Sequence, residues 1–319
     1  IYRFVSAQTL DFYREECKPL KDITPDIPVT TNMHDYVHLQ RGLNYWKFAP
    51  YVDVISWDNY PYWHTPEHPN YVEGAQRAFI HDMNRSFKHG RPFMLMESSP
   101  SATNWQKVGK LRRPGMQELA SMQAVAHGAD TVQYFQWRKG LGGFEKFHGA
   151  VVDHYPIPGT RVFQDVSRLG GELAKLGEVV GTSVQPDVAV VYDWENFWAI
   201  DGAIGPRAEK KDYFDACTRH YEAFWNRGVA TDVIDIGSDL TPYKLVVAPM
   251  LYMIPDGYGE KIQQFVDAGG VFVTTYWSGI ANENDLCFTN GRPGPIREVM
   301  GIWSEEIDAL YDGESNGVS

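Results

Sequence analysis

The sequence of 319 residues predicts an α/β protein with parallel sheets. Predicted strands alternate with predicted helices along the chain, which is typical of parallel α/β folds. Long polar loops follow the strands, while the returns from helix to strand are short. Apolar residues make up 43% of the sequence, so we expect a large buried core.

The first part of the chain predicts four strands that alternate with helices. The strands cover residues 28–32, 51–57, 92–97 and 130–137, and the helices cover about 7–20, 73–88, 116–127 and 161–177. Four strands are too few for a closed parallel barrel, which has eight, so this part is either an open sheet or half of a barrel. Large loops at 58–71, 98–114 and 138–158 favour half of a barrel, because active-site barrels carry such loops on one face.

The pattern changes after Gly181, and we predict a domain boundary that separates residues 1–183 from residues 184–319. Short β-rich runs at 187–192, 245–249 and 271–275 alternate with helices at 212–226 and 259–268, while residues 193–198 are predicted to open a loop. This order favours a doubly wound domain of the flavodoxin-like or amidotransferase-like kind. It contains neither a glycine-rich phosphate turn nor a cysteine at a strand-to-helix turn, so we expect no catalysis there.

Composition narrows the choice of partners and compartment. The net charge of −12 argues against a nucleic-acid partner, and no apolar run approaches the roughly 20 residues of a membrane span. Three distant cysteines indicate neither a disulfide framework nor a cysteine-based metal site, so a cytoplasmic protein with reduced thiols fits best. The aromatic content of 14% suits a sugar-binding cleft but also an ordinary core.

Glu97 is the first candidate for a catalytic group. It ends the apolar run 93–96, which predicts a strand buried on both faces, and a carboxylate there is costly unless it has a use. The carboxyl ends of barrel strands carry the catalytic residues. One alternative is a structural carboxylate paired with Arg91 or Arg138.

Further polar and aromatic residues follow the strand of Glu97 and its neighbours. Trp105 follows Glu97 itself, Asp58, Asn59 and Tyr60 follow the preceding strand, and Glu145 and His148 follow the next one. Such a set suits sugar hydroxyls and an oxocarbenium-like transition state. The spacing of Glu145 and His148 also suits a metal pair on a helix, but the flanking glycines disfavour a helix and no third ligand is evident, so we predict no metal. Trp57 and Trp137 either line the site or belong to the core.

Several segments resemble the β-galactosidases of glycoside hydrolase family 42. The resemblance is carried by residues 56–61, 93–105, 126–130, 135–138, 145–150 and 188–198, in the family's order. It implies the C-terminal half of a (β/α)8 TIM barrel followed by most of an α/β trimerisation domain. It also implies a retaining mechanism in which Glu97 is the nucleophile, while Tyr60, Trp105, Glu145 and His148 line the galactose subsite.

The sequence departs from the family pattern at one essential point. The acid/base glutamate of the family follows an asparagine on the fourth barrel strand, and no Asn-Glu pair here takes that place. The resemblance therefore implies a fragment that has the nucleophile, lacks the acid/base and is inactive alone. The zinc site of some members would lie in the missing half, so no cofactor is expected. The alternatives are a non-catalytic oligomerisation fragment and a related barrel glycosidase such as an α-L-arabinopyranosidase.

Overall fold

The computed structural model describes residues 1–34 and 42–317. The chain forms two compact units, Ile1–Gln185 and Pro186–Ser319. Both are built from parallel sheets with intervening helices, so the predicted α/β fold class is confirmed. No helix in these two described ranges is long and apolar enough to cross a membrane.

The first unit contains a four-stranded parallel sheet in the order β1-β2-β3-β4. The strands are β1 (Asn32–Met33), β2 (Ser56–Asn59), β3 (Phe93–Ser98) and β4 (Ala129–Val132). The helices are α1 (Tyr2–Ile23), α2 (Tyr45–Phe48), α3 (Asn70–Ser86), α4 (Met116–Ala126) and α5 (Arg161–Leu173). Consecutive strands pair, as expected for a barrel segment in which each strand is joined to the next through helical structure.

Strand positions in this unit differ from the predicted ones in a way that matters for the site. The second strand was predicted at 51–57, but β2 begins at Ser56 and runs through Asn59. Asp58 and Asn59 are therefore part of the sheet, and both are buried. The apolar run before Ser56 suggested an earlier strand because buried loops and buried strands have the same composition.

The core of this unit lies between the sheet and α3. Trp57, Phe79, Ile80 and Phe93 are almost completely buried there. Because α3 is covered on most sides, it also buries charged groups, which pair with each other as buried charges must. Asp82 accepts hydrogen bonds from Arg85 of the same helix and from His127 at the end of α4.

The second unit contains another parallel sheet, in the order β6-β5-β7-β8. Its strands are β5 (Val188–Val191), β6 (Thr231–Ile234), β7 (Leu245–Ala248) and β8 (Val271–Thr274). Its helices are α6 (Trp194–Gly202), α7 (Tyr213–Trp225), α8 (Tyr258–Asp267) and α9 (Arg297–Met300). Strands added on both sides of β5 give the predicted doubly wound arrangement.

Alternation buries both faces of the central strands β5 and β7, while β8 leaves Val271 and Val273 exposed on one face. Ala189, Val191 and Val246 pack in one cluster with Ile262 and Phe265 of α8. The intervening side chains of β5 and β7 face the opposite side, since successive strand residues point to opposite faces, and α7 contacts β5 and β6.

Three elements of the second unit were not predicted: α6, β6 and the four-residue helix α9. The expected loop at 193–198 is wrong, because Asp193 caps α6 by accepting a hydrogen bond of 2.8 Å from the backbone N–H of Asn196. An aspartate before a helical segment is a helix start signal, and Asp193 is the only such signal in this aromatic stretch. Strand β6 is only four residues long and contains Asp232, so its apolar pattern is weak.

Candidate active site

Glu97 lies near the carboxyl end of β3, and both of its carboxylate oxygens accept hydrogen bonds. The hydroxyl of Tyr60 donates to Oε2 over 2.6 Å. The side-chain amide of Asn32 donates to Oε1 over 3.3 Å. In the described ranges 1–34 and 42–317 Glu97 forms no ion pair with an arginine, so the alternative of a structural pair with Arg91 or Arg138 is wrong.

Parallel pairing brings these groups together. Asp58 of β2 is in register with Glu97 of β3, and the register shifts between Trp57 and Asp58. Asn32 starts β1, which pairs with the amino-terminal part of β2. Because the carboxyl ends of parallel strands meet at the same edge, side chains distant in sequence share one site.

A cavity of about 660 Å³ opens at this edge of the sheet. The structure brings all five predicted site residues to it, together with five further residues. The lining consists of His34, Asp58, Tyr60, Tyr62, Glu97, Trp105, Phe135, Phe144, Glu145 and His148. Its mixture of carboxylates and aromatic rings has the size and character of a small-molecule site.

Aromatic rings fix the walls of the cavity. The ring of Trp105 packs edge-on against Tyr60 at a centroid distance of 5.2 Å. His148 packs edge-on against Tyr60 at 5.8 Å and against Phe135 at 5.1 Å. Tyr60 is thus held between two ring contacts, and burial together with the adjacent Glu97 raises the pKa of its phenol, which keeps the hydroxyl a donor.

The loop that carries Glu145 and His148 is not a helix, as the flanking glycines indicated. The backbone N–H of His148 donates to the carbonyl of Glu145 over 2.9 Å. Gly149 then approaches Ala102 so closely that a Cβ would lie 2.8 Å from its carbonyl oxygen. Only glycine permits this approach, which fixes the preceding histidine against the wall of the cavity.

His148 is fully buried, and its two ring nitrogens differ. Nδ1 lies 3.0 Å from the carbonyl oxygen of Gly149, so Nδ1 carries the hydrogen and donates it. Nε2 has no hydrogen-bond partner within the described ranges. A buried nitrogen without a partner beside a cavity can accept a hydrogen bond from a ligand hydroxyl.

Asp58 is the main residue of the site to which the sequence assigns no role. It is 2% exposed and accepts a hydrogen bond of 2.8 Å from the side-chain amide of Asn32. Burial, and then the charge of Glu97, raise its pKa to about 7. Its position at a strand end was a usable signal, and the same signal would have identified Asn32, which ended the first predicted strand.

Trp57 and Trp137, which the sequence places either in the site or in the core, have different environments. Trp57 is completely buried and packs edge-on against His81 at 5.0 Å, so it belongs to the core. Trp137 is 67% exposed and does not line the cavity. Among the described residues, no three histidine, cysteine, aspartate or glutamate side chains are grouped as a metal ion would require.

Comparison with known proteins identifies the family of this chain. Residues 1–176 match the family described as Beta-galactosidase of glycoside hydrolase family 42, and residues 186–319 match the Beta-galactosidase trimerisation domain. Beta-galactosidase Pbg of Clostridium perfringens is 63% identical over 99% of this chain and 46% of its own length. Beta-galactosidase BglY of Alicyclobacillus acidocaldarius is 55% identical over 98% of this chain and 45% of its own length.

Solved structures of beta-galactosidases also have the fold of this chain. The cold-adapted beta-galactosidase of Rahnella sp. R3 superimposes with a TM-score of 0.95 at 53% identity, over 98% of this chain and 46% of that one. The chain thus spans about half the length of the relatives it matches. Since the family match extends over more than half of its residues, the chain belongs to the β-galactosidases of glycoside hydrolase family 42.

Proposed function

We propose that this chain is part of a retaining exo-β-galactosidase and supplies its nucleophile, Glu97. The observation that carries the proposal is a strand-end carboxylate that lines the cavity and has a hydrogen-bond donor on each oxygen. Donors on both oxygens hold the carboxylate in one orientation, which suits an attacking group. The family membership of the chain supports the same reaction.

The reaction has two displacements. Glu97 attacks the anomeric carbon of a terminal β-D-galactosyl residue, and the bond to the leaving oxygen breaks as that oxygen takes a proton from a carboxylic acid. Water then attacks the glycosyl-enzyme, loses its proton to the same acid/base group and releases Glu97. Two inversions at one carbon retain the configuration.

We propose that the acid/base glutamate comes from a segment outside these 319 residues. The two edge strands of the first sheet, β1 and β4, each pair with one neighbour in the described part of the chain, and Phe4 and Phe12 of α1 are exposed. Such open edges and apolar surface favour further strands and helices beside this sheet. The expected activity of the isolated chain is therefore at or near zero.

Residues on the cavity wall have separate proposed roles. Trp105 offers a flat ring to the C–H face of galactose, while Glu145 accepts hydrogen bonds from its hydroxyls. His148 accepts another hydroxyl hydrogen through Nε2, which is buried without a partner in the described ranges. Tyr60 orients Glu97 through their hydrogen bond.

The nucleophile is tested in the full-length protein that contains this segment. Glu97→Gln is expected to lose at least about 1000-fold in kcat on nitrophenyl β-D-galactoside, while Glu118→Gln on the exposed side of α4 keeps wild-type activity. A 2-deoxy-2-fluoro-galactoside is expected to label Glu97 covalently. Labelling of another residue contradicts the assignment, and faster turnover of nitrophenyl α-L-arabinopyranoside contradicts the choice of sugar.

We also propose that the complete protein is a homotrimer and that residues beyond Gln185 contribute to its assembly. The match of residues 186–319 to a trimerisation domain supports this. Light scattering is expected to give three times the subunit mass for the full-length protein. For the 319-residue chain, a mass of 36.3 kDa, that of one chain, contradicts assembly through these residues alone.

A cytoplasmic location is proposed from the cysteines. Cys17, Cys217 and Cys287 are all free thiols, and Cys287 is exposed. Exposed free thiols are typical of reducing compartments. Fractionation of cells that express the full-length protein tests this, and activity in the culture medium contradicts it.

A further inference from the structure

Asp58 has no part in the two displacements, yet it lies at the centre of the candidate site. It occupies the β2 position in register with Glu97 of β3 and lines the same cavity. Two carboxylates side by side repel each other when both are charged, which favours protonation of one of them or a hydrogen-bond donor shared between them. The position of Asp58 beside Glu97 therefore needs a group that makes it favourable.

Asn32 is the shared group. Its Nδ2 lies 2.8 Å from Oδ2 of Asp58 and 3.3 Å from Oε1 of Glu97. The amide nitrogen has two hydrogens, so one can point at each carboxylate. The amide oxygen cannot take this place, because it would face two acceptors.

The shorter bond sets the orientation of the amide. Asp58 accepts the nearer hydrogen, which leaves the second hydrogen directed at Glu97. If Asp58 were removed, the Asn32 amide would lose the shorter of the two hydrogen bonds that fix its orientation and would be free to rotate away from Glu97. The donor to Oε1 would then be lost, while the donor to Oε2, Tyr60, would remain.

The groups that face Asp58 come from several elements. Asn32 and His34 lie at β1, Tyr60 follows β2, and Glu97 lies on β3; His34 Nδ1 is 3.5 Å from Oδ2 of Asp58. Oδ1 of Asp58 is buried with no hydrogen-bond partner within residues 1–34 and 42–317. When Asp58 is protonated, Oδ1 can carry the hydrogen while Oδ2 continues to accept from Asn32.

We propose that Asp58 is a positioning residue: it orients the Asn32 side-chain amide so that Nδ2 donates to Oε1 of Glu97. It acts on the attacking carboxylate through Asn32 and does not touch the sugar in this role. The inference rests on the proposed function of Glu97. Nucleophiles need such precise placement, because a displacement of about 1 Å can cost roughly 100-fold in rate.

A double-mutant cycle in the full-length protein tests the coupling. Asp58→Ala, Asn32→Ala and the double variant are compared with the wild type by kcat and KM on nitrophenyl β-D-galactoside. Each single variant is expected to lose roughly 10- to 100-fold in kcat with KM changed less than about threefold. Since both act through the same hydrogen bond, the double variant should fall no more than about threefold below Asn32→Ala.

Two results of the cycle overturn the proposal. One is a double variant whose loss equals the product of the two single losses, because independent residues behave in that way. The other is wild-type kcat in Asp58→Ala. A wild-type protein without galactosidase turnover, or with normal turnover after Glu97→Gln, instead contradicts the proposed function and is recognised before the cycle is run.

Asp58→Asn separates orientation from fold stability and from charge. The variant keeps an acceptor oxygen for Asn32 and the original shape, so kcat within about threefold of the wild type is expected. A loss as large as that of Asp58→Ala, at an unchanged thermal midpoint, would assign the effect to the charge of Asp58 and overturn the proposal. If Asp58→Ala does not fold, the kcat and the thermal midpoint of Asp58→Asn test the proposal in its place.

Discussion

The hydroxyl of Tyr60 lies 2.6 Å from Oε2 of Glu97, and this contact joins the end of β2 to the end of β3. It is a charge-assisted hydrogen bond, which is short and strong when both groups are shielded from water. Trp105 and His148 pack against the Tyr60 ring from two directions, so the hydroxyl is held in place before any ligand binds. Preorganisation of this kind is what a nucleophile requires.

Removing the Tyr60 hydroxyl tests that contact. Tyr60→Phe in the full-length protein is expected to lower kcat on nitrophenyl β-D-galactoside by roughly 10- to 100-fold, because a hydrogen bond to a charged group is lost. Steady-state kinetics measures the change. Tyr71→Phe, an exposed tyrosine at the start of α3, serves as the control and should retain wild-type kcat. Equal rates for Tyr60→Phe and the wild type would show that the bond has no role in turnover.

Gly149→Ala tests the close approach that fixes the His148 loop. The added Cβ would meet the carbonyl of Ala102 and the hydroxyl of Ser99, each at 2.8 Å, so the loop must move. We expect KM for nitrophenyl β-D-galactoside in the full-length protein to rise at least about tenfold, because a one-ångström shift breaks hydroxyl contacts. Gly170→Ala in α5, where no atom lies within 4 Å of the added Cβ, should keep the wild-type KM. Unchanged KM in Gly149→Ala contradicts the packing argument.

The pH dependence of stability tests the environment of Asp58. Its pKa is about 7 in the folded chain and about 3.9 in an unfolded one, so folding favours the protonated form. The stability linked to Asp58 is therefore present below pH 4 and is lost as pH rises through 7. Asp58→Asn cannot ionise, so its free energy of unfolding relative to the wild type is expected to rise between pH 5 and pH 8.

Denaturant midpoints of the 319-residue chain and its variants at pH 5, 6.5 and 8 measure this difference in the free energy of unfolding between Asp58→Asn and the wild type. Asp53→Asn is the matched control, because the hydrogen bond from Lys21 lowers the pKa of Asp53 and its ionisation is complete across that window. The difference between Asp53→Asn and wild type should then stay constant from pH 5 to pH 8. A constant difference for Asp58→Asn as well would contradict the raised pKa.

Asp82→Asn tests the buried charges of α3. Asp82 is paired with Arg85 and His127, and all three lie largely out of solvent. Removing the carboxylate deletes the negative charge of a buried ion pair, so we expect a loss of about 3–5 kcal/mol in the free energy of unfolding. Asp215→Asn breaks an exposed pair with Arg219 and should cost less than about 1 kcal/mol. Denaturant unfolding measures both losses. Similar losses for the two variants would contradict the claim that the buried ion pair stabilises the fold more than the exposed one.

Much of the fold could be read from local patterns. The strand at Phe93–Ser98 and the helix at Met116–Ala126 lie within one or two residues of their predicted positions, because each has a clear apolar pattern with defined ends. The helix at Trp194–Gly202 stands where the sequence predicts a loop, because its aromatic residues show no clear helical period and only the aspartate cap marks its start. Short strands such as Thr231–Ile234 contain too few residues for a period to show.

By itself, the sequence determined the α/β class, the family and the identity of the strand-end carboxylate at Glu97, because these depend on composition and on short contiguous motifs. Only the tertiary structure decided that Asn32 and Asp58 also surround that carboxylate. Asn32 and Asp58 are 65 and 39 positions away from it, and parallel pairing of three strands brings Asn32 within hydrogen-bonding range of both Glu97 and Asp58. Register and burial are properties of the assembled sheet, so the charge balance around Glu97 follows from pairing and not from any local stretch of the chain.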